Sequence, residues 1–335
     1  MATPNQIQSL TKAFQGVGVD ENTLITIMGK WQPGEANTFR KESNFFEKDT
    51  QHLIYLWKQG DVIRIKKEFL LFKNAVILWM MHPWERDARL LKKAINDGPQ
   101  SYNVLVEIAC TRSSDQLLGA RKAYHSLFDS SIEEDTSSQV KSNERKFLVC
   151  LVSVYRYEGT MVNNEVATFD ALALVDAITS EIRNQIDVLR RGLHGGKNVE
   201  GEKSLLDNDD VLKILTTRSK RHLMAVCEVY KRYARRNLDE DFEDPKYTRL
   251  KETIQCLCAP QKYFTKVLDT ALKNGVNTRV NKALTRVIVT RTDIDMKKIK
   301  EEFQNQYGVE LSKKIEEIAN GNYKDFLLTL VKRGN

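Results

Sequence analysis

Apolar residues along this chain recur mainly at helical spacing, and the strict alternation of a half-buried strand is scarce. Near the N-terminus Ile7, Leu10 and Phe14 fall at i, i+3 and i+7, one face of an amphipathic helix. Thr3 is placed to cap that helix, Pro4 suits its first position, and Gln6 completes a capping box. Only 6 prolines and 16 glycines interrupt the pattern, which predicts a chain that is nearly all helix.

The pattern also repeats. The segments "VEIACTRSSDQLLGARKAYHSLF" (106–128), "LKILTTRSKRHLMAVCEVYKRYA" (212–234) and "RVIVTRTDIDMKKIKEEFQNQYG" (286–308) share one plan. An apolar helix ends in Thr-Arg, Ser or Thr follows, and a second helix begins. A weaker copy, "LITIMGKWQPGEANTFRKESNFF" (24–46), has Lys30 in the arginine position. Each unit closes on an apolar helix: "AVILWMM", "KFLVCLV", "TIQCLC" and "DFLLTLV". The period is too long for the common short solenoid repeats and fits four copies of a multi-helix unit. An arginine in a last turn suits the negative end of the helix dipole. Ser113 with Gln116 offers a capping box for the following helix, and Thr292 with Asp295 offers a similar arrangement.

Composition narrows the class. The 335 residues, 41% of them apolar, can bury a large core, and no run approaches the roughly 20 apolar residues that span a bilayer. The N-terminal "MATPNQIQSL" has neither basic region nor apolar core, so a soluble cytosolic protein is expected. A net charge of +7 from 52 basic and 45 acidic residues is mixed along the chain and favours an anionic surface without defining one. No basic stripe interleaved with aromatics marks a nucleic-acid binder. The five cysteines are sparse and odd in number, which points to reduced thiols; Cys256 and Cys258 form a C-x-C that no second pair or nearby histidine completes as a zinc site.

The stretch "FQGVGVDEN" (14–22) carries a glycine turn after the first helix. A dinucleotide fingerprint needs a third glycine, but Glu21 stands there and a helix, not a strand, precedes it. A phosphate loop needs Gly-Lys-Ser/Thr, which is absent. Calcium fits better, because it takes six to eight oxygens and a glycine turn can present backbone carbonyls. The carboxylate would come from elsewhere in the fold. An EF-hand is excluded, since "DEDFEDP" (239–245) has Asp244 where glycine is required. The structural alternative is a helix–helix turn with Asp20 capping the next helix. The five histidines form no catalytic motif with Cys, Ser or Glu, so an enzyme is not expected.

Taken together, the four-fold unit and the glycine turn resemble the annexins, and within them the plant branch. The resemblance rests on "GVGVDE" (16–21), "HPWERDARLL" (82–91), "EIACTRSSDQLLGARKAYHSLF" (107–128), "VYRYEG" (154–159), "ILTTRSK" (214–220), "TIQCL" (253–257) and "LTRVIVTRTDID" (284–295). It implies an all-α, right-handed superhelical curved disc of four annexin repeats, each of five helices: 1–82, 83–165, 166–260 with an insertion at about 181–206, and 261–335. It implies a cytosolic protein, monomeric in solution, whose convex face binds anionic, phosphatidylserine-like phospholipid through Ca2+ when calcium rises. Nucleic acid is not an expected partner.

The family's calcium site implies carbonyls from Phe14, Gly16 and Gly18 in the first repeat, with Val19 and Glu21 forming a minor site. Counting back from Pro83 places the acidic ligand at Glu68, preferred to Asp61 because it directly precedes the apolar run from Phe69. The other repeats depart from the pattern. The second has Pro99 in its turn, the third reads "SLLDNDDVL", and the fourth keeps Gly275 but has Ile318 at its acidic position. Calcium dependence weaker or narrower than the family norm follows. The resemblance also assigns Asp87, Glu107, Arg112, Arg291 and Asp295 to a polar central channel, whose alternative is a buried ion-pair network fixing repeat packing. It makes Cys110 and Cys256 a pair of possible redox role, the alternative being buried structural thiols. Peroxidase activity, suggested for plant annexins, lacks its early histidine, since that region reads "NTFRKES" with Arg40. A largely calcium-independent scaffold and an ion-conducting membrane form stand as alternative functions.

Overall fold

The computed structural model describes residues 3–15, 20–31, 35, 67–153, 156–193, 204–273 and 278–333. Among these residues the regular elements are α-helices and short 3₁₀ turns, with no strand. The first are α1 (Pro4–Gln15), α2 (Glu21–Met28) and α3 (Lys67–Met80). Five follow in close succession: α4 (Pro83–Asp97), α5 (Asn103–Thr111), α6 (Ser114–Phe128), α7 (Ile132–Gln139) and α8 (Arg145–Ser153). Next come α9 (Asn164–Leu193), α10 (Asp209–Thr217), α11 (Lys220–Ala234) and α12 (Thr248–Cys258). The last are α13 (Pro260–Lys273), α14 (Thr278–Arg291), α15 (Met296–Tyr307), α16 (Leu311–Ile318) and α17 (Gly321–Arg333).

Local sequence sets these boundaries. The expected box at the start of α1 forms: the backbone N–H of Thr3 donates to Gln6 Oε1 at 2.8 Å and that of Gln6 to Thr3 Oγ1 at 3.3 Å. Ser113 and Gln116 close the same reciprocal pair before α6, and Ser131 with Glu134 does so before α7. The box expected at Thr292 and Asp295 does not form. Thr292 donates its hydroxyl back to the Ile288 carbonyl at 2.5 Å, and the Asp295 carboxylate faces Arg291 instead of capping α15. In the third repeat α9 runs unbroken for 30 residues, so the first part of the insertion lengthens that helix. There the fourth element is a pair of 3₁₀ turns, Leu238–Phe242 and Pro245–Tyr247, in place of an α-helix.

The chain forms two compact units, residues 83–260 and residues 1–82 with 261–335. In the first, α5 packs against α12 and α8 against α10, so the fifth helix of each repeat lies on the second helix of the other. Leu105, Tyr124, Phe147, Leu148, Leu174, Leu215 and Leu250 are fully enclosed there. Each such side chain contributes about 1.5–3 kcal/mol relative to exposure. The second unit uses the same exchange, with α3 on α14 and α17 on α2. Phe72 of α3 meets Phe326 of α17 edge to face with centroids 5.9 Å apart. Gly29, at the end of α2, permits the close approach of α17, since a Cβ there would stand 2.4 Å from Thr329 Cγ2.

Candidate functional site

The helix exchange brings the start of each fifth helix of the 83–260 unit to the turn that opens the second helix of the other repeat. Those turns are where the repeats could present oxygens to a cation. In the first repeat, the backbone N–H of Asp20 donates to the Ala13 carbonyl at 3.3 Å, so the chain enters and leaves the turn one hydrogen bond apart. Asp20 caps α2 by accepting from the Thr23 N–H at 3.1 Å and from the Thr23 hydroxyl. These bonds, the hydroxyl's first, hold its carboxyl below the usual carboxylate range. Gly16, Gly18 and Val19 lie outside the described residues. Phe14 belongs to the last turn of α1, Glu21 opens α2 and Glu68 is the second residue of α3; their side chains are not described. Asp61 and Arg40 also fall outside the described residues.

The second repeat's turn is already filled. Gly98 has φ +87°, a conformation that side-chain-bearing residues rarely adopt, and it leads into the 3₁₀ turn Pro99–Ser101. The Asp97 carbonyl accepts from the Gln100 side chain, and the Gly98 carbonyl accepts from Ser101 N–H at 2.9 Å. The Pro99 carbonyl accepts from Arg249 Nη2 of α12 at 3.3 Å. The third repeat's turn likewise receives a protein cation. Lys146 Nζ of α8 donates to the Asp207 carbonyl at 3.3 Å and to Asp209 Oδ1 at 3.0 Å. The bond to Asp209 raises the lysine pKa, which keeps the ammonium charged. In the fourth repeat Gly275 is outside the described residues, and Ile318 ends α16 as a half-buried apolar side chain. Among the described residues no three His, Cys, Asp or Glu side chains gather as a metal-binding group.

Comparison with known proteins places this architecture. The annexin family model matches residues 86–151, 201–251 and 263–330. Annexin D4 of Arabidopsis thaliana is 44% identical over 341 residues, covering 100% of both chains. The annexin-like protein RJ4 of Fragaria ananassa is 33% identical over 97% of this chain and 94% of its own. The chain belongs to the annexin family. A solved annexin A8 superposes with a TM-score of 0.75 at 27% identity, covering 98% of this chain and 93% of its own. Chicken annexin V superposes with a TM-score of 0.74 at 23% identity, over 98% and 94% of the two chains, and shares the fold. Annexins in general are non-enzymatic, calcium-dependent binders of phospholipid. Among the described residues of this annexin, no helix is long and apolar enough to cross a membrane.

Within the annexin repeats, the recurrent Thr-Arg arginine serves a defined contact. Arg112, the C-cap of α5, reaches back to α4 and grips Asp87 with two bonds, Nε to Oδ2 at 2.5 Å and Nη2 to Oδ1 at 2.9 Å. Both partners are buried, with 6% and 1% of their surface exposed. In the third repeat Arg218 holds Asp170 of α9 through the same fork at 2.6 and 2.9 Å, and His222 Nε2 lies 2.8 Å from the same carboxylate. Arg291 turns instead to Asp295 four residues on, at 2.8 and 2.6 Å, and stacks over Phe264. Glu107 is buried on α5 and accepts from Asn103 at 3.0 Å. Sequence motifs single out neither Asp170 nor a role for His222; Asp170-Ala171 repeats the Asp87-Ala88 step, the one signal in the chain that points to the aspartate.

Of the two cysteines assigned a possible redox role, Cys110 and Cys256 are both buried, and burial pushes the Cys110 thiol up to about 11. The sulfur contact that the fold builds joins two others: Cys227 Sγ stands 3.6 Å from Cys258 Sγ. All five cysteines are free thiols.

Proposed function

We propose that this annexin binds anionic, phosphatidylserine-like membranes peripherally from the cytosol when calcium rises, with calcium held mainly by its first repeat. Carbonyls of Phe14, Gly16 and Gly18 with the carboxylate of Glu68 form the principal site, and Val19 with Glu21 the minor one. The observation that carries this reading is the contrast among turns. Arg249, itself paired with Glu144 and Glu252, donates to the second repeat's turn and Lys146 to the third's, while the fourth has Ile318 at its acidic position. The repeat boundaries 1–82, 83–165, 166–260 and 261–335 belong to the same reading, supported by the division of the chain after residues 82 and 260.

Sedimentation with phosphatidylserine vesicles tests it. The protein should pellet with calcium and return to the supernatant on chelation, and Glu68→Gln should reduce the calcium-dependent fraction several-fold. Unchanged sedimentation of the variant would remove Glu68 from the site. The two turns filled by protein cations favour one alternative, a largely calcium-independent membrane or protein scaffold. Binding that survives chelation and weakens with salt would select it.

A further inference from the structure

We propose that Cys227 and Cys258 form an oxidisable dithiol in the third repeat that closes to an intramolecular disulfide on reaction with a hydroperoxide. The two residues are 31 apart in sequence, on different helices, yet their sulfurs stand 3.6 Å apart. Both are partly exposed, which a small hydroperoxide requires, whereas Cys110 and Cys256 are buried. A disulfide bond is about 2.05 Å long, so closure asks the sulfurs to approach by about 1.6 Å. Cys258 is the last residue of α12, and Ala259 already leaves helical geometry, so the moving partner sits at a helix end and Cys227 is held within α11. With the Cys258 thiol donating to the Cys227 sulfur, that hydrogen bond lowers the Cys227 pKa and, with burial, raises that of Cys258. We assign the attack to Cys227, held within α11, and the resolving role to Cys258 at the end of α12; the disulfide formed is the same with the roles exchanged.

The chemistry balances with hydrogen peroxide as the oxidant. The Cys227 thiolate attacks one peroxide oxygen; an S–O bond forms, the O–O bond breaks, and hydroxide leaves to take a proton as water. Cys258 then attacks the sulfenic sulfur. The S–S bond forms, the S–O bond breaks, and the departing hydroxide leaves as water with the Cys258 proton. Two thiols lose two electrons and one peroxide becomes two waters.

The test is peptide mapping of the full chain, reduced, desalted, treated with stoichiometric hydrogen peroxide and alkylated before a non-reducing tryptic digest. Alkylatable thiols should fall from 5 per chain by two, and a cross-linked species joining peptide 222–231 to peptide 252–262 should appear. Because the second peptide carries both Cys256 and Cys258, Cys256→Ser should retain the cross-link and Cys258→Ser should lose it. Five thiols remaining alkylatable would overturn the proposal. So would a cross-link through Cys110 or Cys256, or one between two chains. Where a serine variant fails to fold, fragmentation of the wild-type cross-linked peptide decides the matter, since it must place the alkyl group on Cys256 and the cross-link on Cys258.

Discussion

Arg112 and Asp87 show how one side-chain pair sets a repeat's geometry. The guanidinium fork matches both carboxylate oxygens, and both groups are buried. Replacing Arg112 with Met would strand a buried carboxylate, so Arg112→Met should lower unfolding free energy by about 3–5 kcal/mol. Denaturant titration measures this, and adding Asp87→Asn to the same chain should recover part of the loss. A second residue-scale consequence concerns Glu252, which lies near Glu107 and Glu144 and is paired with Arg249. Burial pushes its carboxyl up to about 7, against the opposing effect of Arg249. A folded-state pKa above the unfolded 4.5 means the neutral form suits the fold. Its contribution is fully present below pH 4.5 and is lost as pH rises through about 7. The melting temperature of the wild type should therefore fall across that window relative to Glu252→Gln, by an amount reflecting on the order of 1–3 kcal/mol. Parallel melting curves would refute the assignment.

At the scale of elements, caps and turns follow local sequence where the side chains have no stronger partner. Ser113, Ser131 and Thr3 each complete a box with a Gln or Glu three residues on. Asp295 has such a partner in Arg291, and the box expected there gives way to an ion pair. The second repeat's turn depends on its glycine. Gly98 combines φ +87° with ψ −161°, so Gly98→Ala should cost about 1–3 kcal/mol through backbone strain alone. Its Cβ would meet only the Gln100 side chain at 3.8 Å, so no clash confuses that reading. Chemical denaturation beside the wild type provides the measurement.

The whole molecule repeats one plan with different turns, and the turns should divide its labour. In vesicle sedimentation, Asp209→Asn should leave the calcium-dependent fraction unchanged, because Lys146 Nζ, 3.0 Å from that carboxylate, competes with a cation for it, while Glu68→Gln should lower it. Equal losses from the two variants would place calcium in the third repeat as well. The sequence by itself determined the all-helical class, the four-fold recurrence and most helix starts, because periodicity, capping and chain punctuation act over a few residues. It also isolated the first repeat's glycine pair. Only the tertiary structure decided which distant groups meet. Asp170 joins Arg218 across 48 residues, Arg249 reaches Pro99 across 150, and Cys227 comes to Cys258 across 31. Arg249 meets Pro99 because a fifth helix packs on the second helix of another repeat, and the other two pairs are fixed by how α9 packs on α10 and α11 on α12 within the third repeat. Local periodicity records that a face is apolar; the helix that covers it, and so the charge or sulfur that arrives with that helix, is set by packing of the whole chain.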